Sequence, residues 1–251
     1  MANNGKSVQV LKPIILIPAR LGSTRLPGKV LADINGKPMI LHVLERALQA
    51  DLGPVAVACG EAEIADHVRA HGGLAVLTDP DLPSGSDRIF AALKQLDAAG
   101  THDVIVNLQG DLPHIPPSYM QDVLRPLTHG YDIGTLVAPI KSEAEALAPS
   151  VVKCACAFGV ENMAPALYFS RHPIPSGEGP LWHHIGIYAY KRAALEQFVK
   201  LPPSPLEQRE KLEQLRALEA GLRIGVVHVD HAPFGVDTPA DLQHARKVKS
   251  S

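Results

Sequence analysis

The sequence predicts a doubly wound α/β fold on a mostly parallel sheet, and two observations support that prediction. Short apolar runs alternate with amphipathic helical patterns through the first half of the chain, and the connections between them are short. Such an alternation places parallel strands side by side, with helices on both faces of the sheet. The chain has 251 residues, 46% of them hydrophobic and 20% charged, which suffices for a large α/β domain with a sizeable core.

The predicted elements follow in order along the chain. Apolar runs predict strands at 14–17, 55–59, 74–77 and 104–108, and helical patterns predict helices at 38–50, 61–71, 87–96 and 117–127. Later elements are strands at 151–160, 185–190 and 224–229, a helix opened at Ser204 and ended by Gly221, and a final helix capped by Thr238. The alternation becomes irregular after residue 140. We therefore expect one domain over residues 8–249, with 150–185 as an excursion from it.

Composition excludes several classes of protein. The net charge is −2, so no bulk attraction to nucleic acid or to an anionic membrane is expected. We find no apolar stretch of signal-peptide or membrane-span length, which makes the cytoplasm the expected compartment and membrane insertion unexpected. The cysteines are Cys59, Cys154 and Cys156, an odd set with neither a disulfide framework nor a zinc spacing. We interpret them as small core residues.

The segment from Pro18 to Lys29 is the most informative part of the chain. It follows the first predicted strand and carries three cations and two hydroxyls, at Arg20, Ser23, Thr24, Arg25 and Lys29. Ligands of open α/β sheets bind at the carboxyl ends of strands, and arginine forks with a lysine charge suit a chain of phosphates. The spacing is not that of a Walker loop. The alternative is a solvated basic loop.

Two aspartates follow later strands and are candidate metal ligands. Asp111 ends the run after the strand at 104–108, and Asp237 follows the strand at 224–229. Carboxylates beside a phosphate loop suit Mg²⁺, which takes one or two carboxylates together with phosphate oxygens. The alternatives are a turn residue for Asp111 and a favourable charge at a helix N-terminus for Asp237.

Further polar residues are candidates only if a cleft adjoins them. Arg88 lies one turn into a helix, where it could meet an acidic substrate group or pair with Asp87. Strand alternation directs His183 and His184 to opposite faces, so a joint metal site is not expected. Motifs of common hydrolases, zinc proteases and dinucleotide dehydrogenases are absent.

The order of the motifs resembles the 3-deoxy-manno-octulosonate cytidylyltransferase family, also called CMP-Kdo synthetases, from about residue 13 to 245. The matching segments include Ile17–Arg20, Ser23–Lys29, Ile34–Ile40, Ser84–Arg88, Gln109–Asp111, Ala166–Arg171, His184–Tyr188, Leu212–Arg216 and Gly235–Pro239. One segment alone is weakly specific, whereas nine in register are highly specific.

The resemblance implies a Rossmann-like fold of the nucleotide-diphospho-sugar transferase type and a homodimer held through the excursion. It implies that CTP and the eight-carbon acid sugar Kdo react to CMP-Kdo and diphosphate, with Mg²⁺, for lipopolysaccharide biosynthesis. Arg20, Ser23 and Lys29 would hold the CTP phosphates, and Asp111 and Asp237 would hold Mg²⁺ and, with Lys29, be catalytic. The residues implied for the sugar pocket are Arg88, Gln109, His184, Tyr188, Glu213 and Gln214.

Two positions depart from the family pattern. Gly60 and Leu112 stand where the family usually has acidic residues, which removes negative charge near the nucleotide end. Two alternative functions also stay open. One is the activation of another acid sugar, such as a sialic acid, and the other is nucleotide binding without catalysis.

Overall fold

The computed structural model describes residues 11–23 and 25–248. Thr24 of the predicted phosphate loop, and residues 8–10 and 249 of the predicted domain, lie outside the described residues. Ten of the strands form one sheet, in the order β5-β4-β1-β6-β11-β7-β12-β9, with β8 joining β11 and β10 joining β8. The strands are β1 (Pro13–Ala19), β2 (Asp33–Ile34), β3 (Lys37–Pro38), β4 (Val55–Cys59), β5 (Leu74–Leu77), β6 (Val104–Asn107), β7 (Ile133–Pro139), β8 (Lys153–Ala155), β9 (Met163–Pro165), β10 (Tyr168–Ser170), β11 (Trp182–Lys191) and β12 (Ile224–His228).

Helices cover both faces of this sheet, as the alternation predicts. They are α1 (Met39–Gln49), α2 (Ala62–Ala70), α3 (Gly85–Leu96), α4 (Ser118–Asp122), α5 (Arg125–Thr128), α6 (Glu143–Leu147), α7 (Arg192–Phe198), α8 (Pro205–Glu210), α9 (Gln214–Glu219) and α10 (Pro239–Lys247). Residues of β1 alternate between two cores: Ile15 and Ile17 pack with α1 and α2, and Ile14 and Leu16 pack with α3 and α7. The predicted α/β class with a mostly parallel sheet is confirmed.

The parallel part of the sheet sets up a crevice. β1 pairs in parallel with β4 on one side and with β6 on the other, and β5 continues beyond β4. The strand order therefore reverses at β1, and such a reversal leaves a crevice at the carboxyl ends of the strands. The loops after β1 and β6 both open into it. No helix within residues 11–23 and 25–248 is long and apolar enough to cross a membrane.

Several predicted element boundaries are wrong. The predicted helix at 117–127 is two helices, since Pro126 has no N–H to continue a helical ladder. The predicted helix after Ser204 stops at Glu210 because Lys211 adopts a left-handed conformation with φ of 56°, and α9 begins three residues later. The predicted strand at 151–160 is only the short β8. Strand β7 is absent from the prediction because Gly134 and Thr135 interrupt its apolar run.

Candidate active site

The first cavity lies in the crevice beside β1 and encloses about 340 Å³. Its walls are the loop after β1, which supplies Arg20, Ser23 and Lys29, and the loop after β6, which supplies Asp111. All four residues were predicted from the sequence for the phosphate and metal end of a site. The structure therefore brings these predicted residues into one cavity.

Backbone contacts close the loop after β1. The N–H of Gly28 donates to the carbonyl of Leu21 at 3.1 Å, and Gly28 holds a φ of 65° that favours glycine. The N–H of Leu21 also donates to the Glu61 carboxylate at 3.0 Å, which ties the loop to the end of β4. The exposed Arg20 and the half-buried Ser23 are thereby held at the rim of the cavity.

Lys29 joins the two candidate metal ligands. Its ammonium donates to Asp111 at 2.8 Å and to Asp237 at 2.8 Å, and also approaches the carbonyl of Val236 at 3.3 Å. Burial acts to lower the pKa of Lys29, but the charges and hydrogen bonds of both carboxylates outweigh burial and raise the pKa. Lys29 is therefore a fully charged ammonium between two carboxylates that are far apart in the sequence.

Asp237 reaches this position through contacts of its own loop. The N–H of Val236 donates to the carbonyl of Asp111 at 2.9 Å, which joins the two loops. Thr238 and Asp241 form a capping box at the start of α10, and Asp241 also accepts from the N–H of Asp237 at 3.1 Å. The cap uses the Thr238 hydroxyl and the Asp241 carboxylate, whereas the Asp237 carboxylate contacts Lys29.

Arg25 is a site residue to which the sequence analysis assigned no individual role. Its guanidinium lies 3.0 Å from the second oxygen of Asp237, and it lines the cavity with the other cations of the loop. The sequence signal that could have identified Arg25 is its position in the basic segment after β1. Two cations thus meet the two carboxylates at one end of the cavity, and Arg20 adds a third cation to its wall, a set of charges suited to anionic phosphates.

The described residues contain no group of three or more histidine, cysteine, aspartate or glutamate side chains that could hold a metal ion. Asp111 and Asp237 both contact one ammonium, so the two carboxylates face a single cationic position. Two carboxylates fit Mg²⁺, whose remaining ligands are then water and phosphate oxygens.

A second cavity of about 680 Å³ adjoins the first. The two cavities share Arg25, Gln109, Asp111 and Asp237, so these residues stand at the boundary between them. His184 lines only the second cavity. A ligand in the first cavity and a ligand in the second would meet at the two carboxylates.

His184 is a neutral, tightly held histidine. Burial lowers the pKa of His184 to about 3, with a smaller contribution from His183. Its Nε2 lies 3.0 Å from the hydroxyl of Thr135, and the rings of Phe169 and Tyr188 pack against it with centroids 4.8 and 5.4 Å away. Thr135 was not predicted from the sequence because it belongs to β7, whose apolar run is interrupted at residues 134 and 135.

The other residues predicted for the sugar pocket are dispersed. Tyr188, Glu213 and Gln214 line neither cavity. Tyr188 packs on His184, Gln214 is buried at the start of α9, and Glu213 accepts from the hydroxyl of Ser86 at 2.9 Å. Burial raises the pKa of Glu213, and its other carboxylate oxygen is buried without a hydrogen-bond partner. The expected grouping of six residues is therefore only partly present.

Arg88 lines the first cavity but is only 2% exposed. Its guanidinium donates to the hydroxyl of Thr78 at 2.7 Å and to the carbonyls of Asp79 and Pro80 at 3.0 Å each. These bonds use three of its five N–H donors. Arg88 thus holds the loop after β5, and two donors remain for a ligand.

The two departures from the family pattern have different surroundings. A Cβ at Gly60 would lie 3.0 Å from the Arg88 guanidinium and 3.5 Å from the Cβ of Arg20, so an acidic side chain there would lie beside the charge of Arg88. Leu112 is buried in the core and borders the second cavity. Position 60 therefore adjoins Arg88, which lines the first cavity, and the change at 112 adds apolar surface to the second.

Known structures share this fold. The structure of a CMP:2-keto-3-deoxy-manno-octonic acid synthetase complexed with CTP matches with a TM-score of 0.86 and 42% identity, covering 94% of this chain and 97% of that one. A cytidylyltransferase from Leptospira borgpetersenii matches with a TM-score of 0.59 and 17% identity, covering 94% of this chain and 86% of that one, which shows the fold alone. Fold and site together define a nucleotidyltransferase.

Sequence relatives show which family of nucleotidyltransferases the chain belongs to. The model of the family described as "Cytidylyltransferase" matches residues 14–224. The 3-deoxy-manno-octulosonate cytidylyltransferase of Paramagnetospirillum magneticum is 57% identical over 240 residues, covering 95% of this chain and 98% of that one. The enzyme of the same name from Bradyrhizobium sp. (strain ORS 278) is 60% identical over 241 residues, covering 95% and 98%. The chain belongs to the cytidylyltransferase family.

Proposed function

We propose that this enzyme transfers the cytidylyl group of CTP to 3-deoxy-manno-octulosonate, giving CMP-Kdo and diphosphate for lipopolysaccharide biosynthesis. The observation that carries the proposal is the contact of Lys29 with both Asp111 and Asp237, at the boundary of two adjoining cavities. Relatives of that name at 57–60% identity and a structural match complexed with CTP support it.

In this proposal CTP occupies the first cavity. Arg20, Ser23 and Lys29 hold its phosphates, and Arg25 adds a fourth polar contact at the rim. Cationic forks and an ammonium offset the charge of the triphosphate and of the leaving diphosphate. Arrival of the phosphates gives Lys29 new anionic partners, which releases oxygens of the two carboxylates.

Asp111 and Asp237 are the residues that would hold Mg²⁺. Their close approach on a single ammonium and their hard oxygen donors fit that ion. When bound there, it would neutralise phosphate charge and lower the pKa of an attacking hydroxyl.

The acid sugar occupies the second cavity, with its reacting hydroxyl at the boundary. The hydroxyl oxygen forms a bond to the α-phosphorus while the bond from that phosphorus to the bridging oxygen breaks, and the hydroxyl proton leaves to solvent. Gln109 and His184, which line the second cavity, contact the sugar directly, and Arg88 directs its remaining donors from the first cavity towards the sugar carboxylate at the boundary. Tyr188, Glu213 and Gln214 line neither cavity, and of the three Tyr188 supports the sugar site by packing against His184. Such a reaction depends on positioning and charge neutralisation.

One assay tests the proposal against its alternatives. Diphosphate release is measured with CTP and Kdo, and compared with UTP, ATP and a sialic acid as replacements. Release that requires CTP and Kdo is expected. Preference for a sialic acid would assign the enzyme to another acid sugar, and CTP binding without release would indicate a non-catalytic nucleotide-binding protein.

We also propose a homodimer that forms through the segment 150–185 and acts in the cytoplasm. Within that segment Leu167 is 66% exposed and Val160 fully exposed, and Phe158 and Trp182 pack edge to face with ring centroids 4.8 Å apart. Exposed apolar residues and an aromatic pair within one segment suit a two-fold contact between copies.

A further inference from the structure

Thr135 on β7 is fully buried beside His184 and contacts three possible partners. Its hydroxyl oxygen lies 3.0 Å from Nε2 of His184, 2.7 Å from the carbonyl of Ile187 and 3.1 Å from the carbonyl of Ile185. The pairing register of β7 with β11 shifts between Ile185 and Tyr188, so the ladder is interrupted at this point. The Thr135 side chain fills that interruption.

A hydroxyl has one proton to donate, and the three contacts compete for it. Carbonyl oxygens only accept, and the carbonyl of Ile187 is the nearest of the three partners. The proton of Thr135 therefore goes to a carbonyl, and a lone pair of its oxygen faces His184. The contact is then a hydrogen bond only if Nε2 of His184 carries the proton and donates it.

This assignment determines what the other ring nitrogen can do. His184 is neutral because burial lowers its pKa to about 3, so a proton on Nε2 leaves Nδ1 without one. Within the described residues Nδ1 has no hydrogen-bond partner. The protein does not enclose this atom completely, so a ligand can reach it. His184 lines the second cavity, and Phe169 and Tyr188 prevent its ring from turning freely.

We propose that Thr135 is a positioning residue that holds His184 in its Nε2–H form, so that Nδ1 accepts a hydrogen bond from a hydroxyl of the acid sugar. The inference rests on the proposed function, because it deepens the role of His184 in the sugar site. An acceptor of this kind favours a neutral hydroxyl and offers nothing to a carboxylate, which assigns His184 to the hydroxyl-bearing part of the substrate.

The ring form is tested first by NMR. Histidine labelled with nitrogen-15 is incorporated, and the His184 signals are identified by their loss in H184Q. The expected spectrum of the unmodified protein shows a proton on Nε2 and none on Nδ1. A proton on Nδ1 in the unmodified protein would overturn the inference, and this measurement needs no change at Thr135.

Kinetics with matched variants provide the second test. T135V keeps the shape of the side chain and removes the hydroxyl, T135S keeps the hydroxyl, and T128V makes the same change at an exposed threonine. We expect T135V to raise the KM for Kdo at least about fivefold, to shift the KM for CTP less than twofold and to change the His184 spectrum, with T135S close to the unmodified protein.

A folded T135V with an unchanged KM for Kdo would contradict the inference. Absence of diphosphate release by the unmodified protein would contradict the proposed function instead. The spectrum of His184 would still decide which ring nitrogen Thr135 holds protonated.

Discussion

At the residue scale, Lys29 explains how two remote aspartates become one site. A half-buried ammonium needs counter-charges, and both carboxylates supply them at 2.8 Å. The sequence shows three charged residues on three loops, and only the fold brings them within hydrogen-bonding distance. The contact also means that each aspartate affects the other through the shared lysine.

We expect D111N and D237N each to lower kcat/KM at least about a hundredfold with little loss of folding stability. Each change removes one charge from a pair that fits Mg²⁺ and weakens the placement of the α-phosphate. Diphosphate release over a range of Mg²⁺ concentrations measures the loss. D66N, at an exposed position on α2, is the matched control. Near-normal activity of either variant at limiting Mg²⁺ would make that aspartate a turn or cap residue.

Arg88 has both a structural and a proposed binding role. R88K retains the charge but cannot reproduce the fork that contacts Thr78 and the carbonyls of Asp79 and Pro80. We expect a loss of about 1–3 kcal/mol in the free energy of unfolding and a higher KM for Kdo. Urea unfolding and steady-state kinetics measure the two effects. A higher KM for CTP with an unchanged KM for Kdo would place Arg88 at the phosphates.

His184 makes stability depend on pH in the acidic range. Its pKa is about 3 in the folded protein and about 6.5 when unfolded, so between these values the unfolded chain binds the extra proton. Stability is therefore full above pH 6.5 and decreases as the pH falls towards 3, by up to about 1.4 kcal/mol per pH unit.

Urea unfolding of the protein and of H184Q between pH 7.5 and 4.5 tests this prediction. The slope below pH 6.5 should be smaller in H184Q than in the protein and unchanged in H67Q, which alters an exposed histidine. Equal slopes in the protein and H184Q would show that His184 does not cause the dependence.

At the element scale, helix termini and strand interruptions are the features that the sequence predicts least well. The parallel strands β4 and β5 match their predicted bounds because continuous apolar runs with turn residues at both ends admit few alternatives. The break at Lys211 could not be predicted, since a lysine in a left-handed conformation carries no local signal. The carbonyl of Lys211 accepts from Arg171, forty residues away, and that contact comes from the tertiary structure.

The cap of α10 links a helix to the site. The side chain of Thr238 accepts from the N–H of Asp241, whose carboxylate in turn accepts from the N–H of Asp237. We expect T238A to lower the free energy of unfolding by about 1 kcal/mol and to lower kcat/KM several-fold, because Asp237 loses part of its support. T238S should behave as the unmodified protein. Full activity of T238A would show that Asp237 is held without the cap.

At the scale of the whole molecule, the proposed dimer depends on the excursion. Not every apolar residue of the excursion can take part in such a contact, since Phe169 is fully buried against His184 and belongs to the core. A charge at 169 would unfold the protein and would not test assembly. Leu167, 66% exposed on the same segment, is the better position.

We expect L167E to convert a dimer into a folded monomer at tens of micromolar, because a charge at the centre of an apolar contact is costly to bury. Light scattering measures the mass, and L48E, at a half-exposed leucine of α1, is the control. A monomeric unmodified protein would rule the dimer out.

The sequence by itself determined the fold class, the bounds of β4 and β5, and the basic loop with its two aspartates. These features depend on local patterns: apolar periodicity, turn residues, and charges placed immediately after strands. Only the tertiary structure decided that Lys29 contacts both aspartates, that Arg88 is a buried loop anchor and that Thr135 holds His184. Each of these contacts joins elements far apart along the chain, and their partners are selected by the packing and burial of the folded molecule, which no local pattern records.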